Sequence, residues 1–412
     1  MTAAGLRVLH LGKFYPPASG GMEGHVQTLA REQAALGAQV EVLVANHSAD
    51  EGDTSHEFRG RSATREEWDG LVRVIRLGRQ ASVARMDVMA DLPRVLRRAL
   101  SRGVDVLHLH TPNPTLTLAL DALPRLPPLF ITHHSDVIRQ RIAGALFRPF
   151  EAIAYARARR VFATSEAYVQ GSPLLRMFHR KVRALPLGID VAPFLEPSQA
   201  VLDAEARERA QGGPLWLMVG RLVYYKGLFT ALEALTRVPG RLLVVGEGPL
   251  AESGRERARA LGIASRVTWA GYLSPDALRG AYRAATALWF PSNARSEAYG
   301  LSQVEAMASG LPVINTAIPH SGVPWVSQDG LTGLTVPVGD VLALALAARR
   351  LLEEPGLAER LGHAARKRAV AEFRHDVMAS RSLVFYAEAL GRPAPVMVPT
   401  DGALPRVAGG AS

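Results

Sequence analysis

Two carboxylates, Glu297 and Glu305, bracket the run EAYGLSQVE, which also holds an aromatic, Tyr299, and a glycine, Gly300. The preceding ALWFPSNARS reads as a buried strand that ends at Pro291 and opens into a polar loop, while VEAMASG supplies helix formers closed by Gly310. Strand, loop and helix in that order put the amides of Gly300, Leu301 and Ser302 at a helix N-terminus, where they favour an anion. Gly300 lets a ligand approach the backbone closely. Glu297 falls in the loop and Glu305 about one turn into the helix, so the two acids can straddle that anion. A carboxylate repels phosphate but accepts hydrogen bonds from hydroxyls. Phosphates in the middle with polyols at both ends describe a nucleotide sugar. An isolated glutamate pair at this spacing is a weak pattern, better explained by solvated surface charges, so its surroundings decide.

Those surroundings contain cations. GRLVYYKGL places Arg221 and Lys226 between a strand and the next helix. Cations beside the positive end of a helix dipole are unfavourable unless an anion is present, and together they can neutralise a diphosphate, Arg as a fork and Lys as a point charge. Near the start of the chain, LRVLHLG is followed by a turn with Gly20 and Gly21 and then by an amphipathic helix, an arrangement that lets a phosphate approach. A tight turn without a ligand fits the glycine pair equally well. His134 follows the strand PLFITH, at the carboxyl end where open α/β sheets bind ligands, and an imidazole there can exchange a proton or a hydrogen bond near neutrality. His133 points the other way and reads as structural. His108 and His110 share one face of the strand VDVLHLH. A metal would need a third ligand that the sequence does not identify, so they read as ordinary strand-end histidines.

The elements that carry these residues alternate strand and helix throughout. A first array runs through QVEVLVAN, LVRVIRL, VDVLHLH, PLFITHH, RRVFATS and KVRALPLGID, with residues 47–70 as an exposed insertion. Residues 194–213, with Pro197, a charged helix-like run and Gly212-Gly213, read as a hinge. A second array follows through PLWLMVG, RLLVVGEG, RVTWAG, ALWFPS and PVINT. Two such arrays in tandem predict an α/β protein of two doubly wound, Rossmann-like domains facing across a cleft. GEGP at 246–249 reads as a structural turn. The tail from 391 to 412, rich in Pro, Gly and Ala and without periodicity, is expected to be disordered.

At 412 residues the chain can bury two cores. It has no cysteine, which removes disulfides, thiolate metal sites and a cysteine nucleophile and fits a reducing compartment. The N-terminus enters a strand without a signal-like apolar run, and the longest uncharged stretch, 306–328, is interrupted by prolines and glycines, so a cytoplasmic protein without a membrane span is expected. The net charge of +10 suits anionic partners. No basic motif interleaved with aromatics points to nucleic acid. Residues 137–160, VIRQRIAGALFRPFEAIAYARARR, carry six arginines against one glutamate, with Ile142, Leu146, Phe147, Phe150 and Ile153 at helical spacing and Pro149 expected to kink or divide the helix. The segment fits either a core-packed helix with solvated arginines or a surface for anionic lipid.

The stretches SEAYGLSQVEAMASGLPVI and HSGVPWVSQDGLTGLTVPVGD, with His134-Ser135-Asp136, PLGID and GEGP, resemble the retaining glycosyltransferases of family 4, which have the GT-B fold. The resemblance runs from the Gly20-Gly21 loop to about residue 375. It implies an acceptor-binding domain over 1–193, a nucleotide-sugar-binding domain over 194–374, and a helix near 375–390 crossing back to the first domain. It further implies hexose transfer from a nucleoside diphosphate sugar, such as GDP-mannose or a UDP-hexose, to a saccharide or lipid-linked saccharide with retention of configuration. In that scheme Arg221, Lys226 and the amides at Gly300, Leu301 and Ser302 take the leaving diphosphate, with the Gly20-Gly21 loop over it. Glu305 takes the ribose, Glu297 the hydroxyls of the donor sugar, and His134 the sugar or the acceptor; Tyr299 lies in the same motif. No DxD motif is set to hold a divalent ion, so neither a metal nor any other cofactor is expected. A nucleotide-sugar epimerase, a phosphorylase and a degenerate GT-B binding subunit are the alternatives on this fold. The phosphorylases are much longer chains, and a degenerate subunit is expected to lack one of the paired acids or cations.

Overall fold

The computed structural model describes residues 5–18, 20–47, 58, 60–83, 86–135, 141–395 and 397–398, and only the backbone of 141–146. The chain divides into two α/β units, Met1–Gly188 with His375–Val398, and Ile189–Arg374. The expected disordered tail lies, beyond residue 398, outside the described residues, as do Asp136 and Arg139.

The first unit is built on an eight-stranded sheet. Its strands are β1 (Arg7–Leu11), β2 (Gln39–Ala45), β3 (Arg65–Asp69) and β4 (Val72–Leu77), followed, after a separate hairpin of β5 (Ala81–Val83) and β6 (Met86–Val88), by β7 (Val106–Thr111), β8 (Leu129–His133), β9 (Arg160–Ala163) and β10 (Val182–Ala184). The order is β10-β9-β8-β7-β1-β2-β4-β3, parallel except for β3 at the edge. The inner strands are apolar on both faces because helices cover both. Val8, Val42, Phe130 and Phe162 pack with Val26 and Leu29 of the helix Gly21–Ala35 and with Met378, Leu383 and Tyr386 of the last helix, His375–Leu390. Strand order reverses between β1 and β7, which opens a ligand crevice at their carboxyl ends.

The second unit has a parallel six-stranded sheet of β11 (Leu215–Val219), β12 (Arg241–Val245), β13 (Val267–Gly271), β14 (Ala287–Phe290), β15 (Val313–Thr316) and β16 (Gly333–Val336), in the order β13-β12-β11-β14-β15-β16. Trp216 and Trp289, both fully buried on the neighbouring strands β11 and β14, stack with ring centroids 5.1 Å apart at the centre of its core. Here the order reverses between β11 and β14.

Several expectations need correction. The proposed hinge at 194–213 is ordered structure of the second unit: the helix Gln199–Arg209 packs along Pro275–Ala284, with Ala204 against Gly280 and Glu205 ion-paired to both Arg209 and Arg283. The division falls at 188/189, not at 193/194, because Ile189 bridges to Arg374 and its amide donates to the Phe373 carbonyl. Within 47–70, residues 65–69 are the edge strand β3, whose Asp69 accepts from Tyr15, Gln27 and Arg31. Pro149 does not divide its helix, which runs unbroken over Arg141–Arg157.

Candidate functional site

In the second unit the loops after β11 and β14 meet at the point of strand reversal. The Asn293 amide donates to the Tyr225 carbonyl, and the Tyr224 and Ser296 hydroxyls bond each other at 2.9 Å. Gly227, at φ 73°, caps the helix Leu228–Leu235, and a Cβ there would lie 1.9 Å from the Pro291 carbonyl oxygen. Only a glycine allows this contact between the loops.

Lys226 and Glu297 are thereby joined: Nζ lies 2.6 Å from Oε2, and the two side chains are only 13% and 10% exposed. Ser292 Oγ donates to the same carboxylate oxygen, and Ser321 Oγ donates to the Glu297 carbonyl, so the glutamate is held from both ends. The ammonium also faces the rings of Phe290 and Tyr225. Arg221, on the same loop, is exposed and has no ion-pair partner among the described residues. Beside the pair, Gly300 at φ 85° caps the helix Leu301–Ala308; a Cβ there would lie 2.5 Å from the Phe290 ring. Leu301 and Ser302 are half-buried at the helix start, where their amides have no partner inside the helix.

Glu305 is half-buried on that helix and accepts from Tyr282 Oη through Oε2 at 2.7 Å. Burial pushes its pKa up, against the opposing pull of the Tyr282 hydroxyl and of Arg279. Tyr299 is placed differently from the expectation. Its ring is buried against Trp325 and Phe373, so it packs the core, and only its backbone remains for a ligand. Its carbonyl is itself taken by Gln303 Nε2.

In the first unit the reversal point is occupied by histidines. His10 of β1, His108 and His110 of β7, His25 of the helix Gly21–Ala35 and His134 after β8 form one cluster. His10 Nδ1 lies 3.0 Å from His110 Nε2, and His110 Nδ1 lies 3.2 Å from His134 Nε2. Burial lowers the pKa of His10 to about 4 and of His25 to about 3, and holds His108, His110 and His134 well below the usual imidazole range, with the neighbouring histidines adding to the effect on the last three. His134 is therefore a neutral hydrogen-bonding group and not one that titrates near neutrality. His133 bonds Tyr155 Oη at 2.7 Å, away from the cluster. Gly20 has φ 167°, extended backbone open to any residue, and a Cβ on Gly21 would meet nothing within 4 Å. Gly21 is not required by the first unit's own packing, and the Gly20 backbone does not demand a glycine.

Sequence reasoning missed four contributors: Ser292 and Ser321, which hold Glu297; Tyr282, which holds Glu305; and His25, which joins the histidines. Ser292 stands two residues past the end of β14, where ligand-side residues are expected, but the other three are brought in by long-range packing. The reading of His108 and His110 as ordinary strand-end histidines also changes, since both are interior members of a five-imidazole cluster.

Two largely parallel sheets, each with a strand-order reversal and one with charged loops there, define a two-domain, doubly wound α/β protein. Residues 19–192 match the family described as Glycosyltransferase Family 4, and residues 203–368 match Glycosyl transferases group 1. The chain is 31% identical to D-rhamnosyltransferase WbpZ of Pseudomonas aeruginosa over 364 residues, covering 88% of this chain and 91% of that protein. It is 27% identical to O-antigen chain mannosyltransferase C of Escherichia coli, covering 93% and 99%. Sucrose-phosphate synthase from Thermosynechococcus elongatus superposes with a TM-score of 0.71 at 25% identity, covering 94% of this chain and 99% of that one. The chain belongs to the family 4 glycosyltransferases, with the GT-B fold and of the bacterial polysaccharide type. No helix among the described residues is long and apolar enough to cross a membrane.

Proposed function

We propose that this glycosyltransferase moves a hexose from a nucleoside diphosphate sugar to a saccharide or lipid-linked saccharide in cell-surface polysaccharide or glycolipid synthesis, with retention of configuration and without a metal at the diphosphate. The observation that carries the reading is the Lys226–Glu297 pair beside the helix start at Gly300, at the second unit's strand reversal. An arriving diphosphate competes with Glu297 for Lys226, and the exposed Arg221 adds a second cation. The carboxylate released from Lys226 is then free to accept from the donor sugar's hydroxyls. Charge is neutralised on the leaving group, where it develops in the transition state. Glu305, oriented by Tyr282, takes the ribose diol. His134 serves the sugar or acceptor as a neutral hydrogen-bonding group, and Gly20 and Gly21 leave room for phosphate to approach their backbone.

The relatives favour a manno-configured donor, since one transfers mannose and the other D-rhamnose, which is 6-deoxymannose. Structural neighbours solved with UDP and with UDP-glucose keep a UDP-hexose as the alternative. A panel of GDP- and UDP-sugars, read by nucleoside diphosphate release, tests the assignment. GDP-mannose is expected to be consumed fastest, with an α-linked product by NMR; turnover of no donor contradicts the transferase reading.

The protein is assigned to the cytoplasmic side, with peripheral contact to the inner face of the membrane through the helix Arg141–Arg157. Phe150 and Ile153 are 43% and 47% exposed there, and Arg148 is exposed beside them. Arg157, by contrast, is committed to the carbonyls of Leu120 and Leu123. Co-sedimentation with anionic vesicles at low salt tests the contact. Binding that is undiminished when Arg139, Arg141 and Arg148 are replaced by Gln leaves the helix as ordinary packing.

A further inference from the structure

We propose that His25, His110 and His134 form a three-imidazole site for a first-row transition-metal ion of the zinc class in the first unit, distinct from the donor diphosphate. The three come from separate elements, and one ring nitrogen of each lies within 4.8 Å of the others. Two nitrogens bound tetrahedrally to zinc, each at about 2.0–2.1 Å, stand about 3.3 Å apart. His110 Nδ1 and His134 Nε2 already stand at 3.2 Å. His25 completes the triangle, with its nitrogen within the same 4.8 Å of both.

His25 points to a ligand independently. It is 5% exposed, and neither of its ring nitrogens has a hydrogen-bond partner. A buried polar group left in that state carries an uncompensated desolvation penalty, which a bound ion removes. Its ring lies 4.9 Å from that of His134 and 5.6 Å from that of His110, edge-on to both.

The hydrogen bonds around the site fix which lone pair faces it. Ser382 Oγ donates to the Ala379 carbonyl and therefore accepts from Gln33 Nε2. That orients the Gln33 amide with Oε1 toward His10 Nε2, which must be the protonated nitrogen. His10 Nδ1 is then an acceptor, His110 Nε2 donates to it, and His110 Nδ1 is left as a lone pair facing His134. Fixing a ligand's tautomer through its other nitrogen is how proteins prepare imidazole for metal. An all-imidazole set without carboxylate suits zinc, copper or nickel, and not magnesium or calcium. His134 is the half-exposed member of the three, and the other two are buried. His10 and His108 also approach His110, but their nitrogens are engaged by Gln33, His110, Tyr386 and Thr132, which leaves no lone pair for an ion.

The test is direct binding, independent of transferase activity. The tag-free full-length chain, stripped with a chelator, is titrated with zinc chloride against a chromophoric chelator, and with cobalt(II) for its d–d spectrum. One equivalent of zinc per chain and four-coordinate cobalt bands are expected. His25→Gln and His134→Gln are each expected to weaken binding more than the roughly 10–100-fold typical of losing an outer hydrogen-bond partner, while His25→Gln keeps the wild-type circular dichroism. Absence of stoichiometric binding by the wild type, or wild-type affinity in folded His25→Gln, overturns the site and assigns any uptake to surface histidines.

Discussion

The two units place the same topological feature under opposite chemistry. At the second unit's strand reversal, between β11 and β14, a nearly buried ion pair sits beside a helix start, with a further cation exposed on the same loop. At the first unit's reversal, between β1 and β7, five imidazoles cluster; His10, His110 and His134 bond in a chain, His108 bonds Tyr386 of the last helix, and Gln33 links His10 to Ser382 of that helix. The sheet supplies the crevice in both cases, and the loops decide what it can hold. One holds a cation against an internal carboxylate, which the proposed function has a phosphate displace. The other offers hydrogen bonds and lone pairs without net charge.

The largest expected effect comes from breaking the charged side of this contrast. Lys226→Ala is expected to lower transfer by roughly 100- to 1000-fold, the cost of losing one group that stabilises developing charge. It also leaves Glu297 nearly buried without its cation, a loss of about 3–5 kcal/mol for a fully buried pair and less here. The double variant Lys226→Met with Glu297→Gln is expected to recover thermal stability without recovering activity. A double variant that recovers both makes the pair purely structural.

A smaller effect is expected on the neutral side. His134→Gln should slow transfer by about 10- to 100-fold, as loss of one or two hydrogen bonds in the transition state implies, while nucleoside diphosphate affinity stays at the wild-type value by calorimetry. A parallel fall in nucleotide affinity would erase the division of labour between the two reversal points. Smaller again is Glu305→Gln, expected to weaken nucleotide affinity by about tenfold with little change in kcat, and Tyr282→Phe should follow it at reduced amplitude because it removes only the orienting hydrogen bond. Loss of kcat with unchanged affinity would place Glu305 at the reacting centre and away from the ribose.

How much of this was legible in the sequence depended on the range of the contact. Lys226, Glu297, Gly300 and Glu305 stand in local strand-loop-helix patterns that the structure reproduces, and the apolar runs of parallel strands give the two-array fold. The short β16 escapes the pattern because GLTV opens on a glycine and offers too few residues. The helix Gln199–Arg209 looked like a linker because its buried face is only Val201 and Ala204, small enough to lie on Gly280. Tyr299 looked available because it sits in a polar motif, whereas its ring is needed to fill space against Trp325 and Phe373. His25 left one local trace: it shares the buried face of its helix with Val26 and Leu29. Its neighbours on β7 and after β8 are reached only through the crossover topology, which spacing along the chain does not encode.

The central claim is that the second unit's reversal point holds a nucleoside diphosphate through its cations. Calorimetric titration of GDP, UDP and the parent nucleosides into wild type, Arg221→Ala and Lys226→Ala tests it most directly. The wild type is expected to bind one diphosphate much more tightly than its nucleoside, and each variant to lose about 10- to 100-fold of diphosphate affinity, as removal of a charge-assisted contact of about 1.5–3 kcal/mol implies, with nucleoside binding nearly unchanged. Wild-type diphosphate affinity in both folded variants would contradict the account.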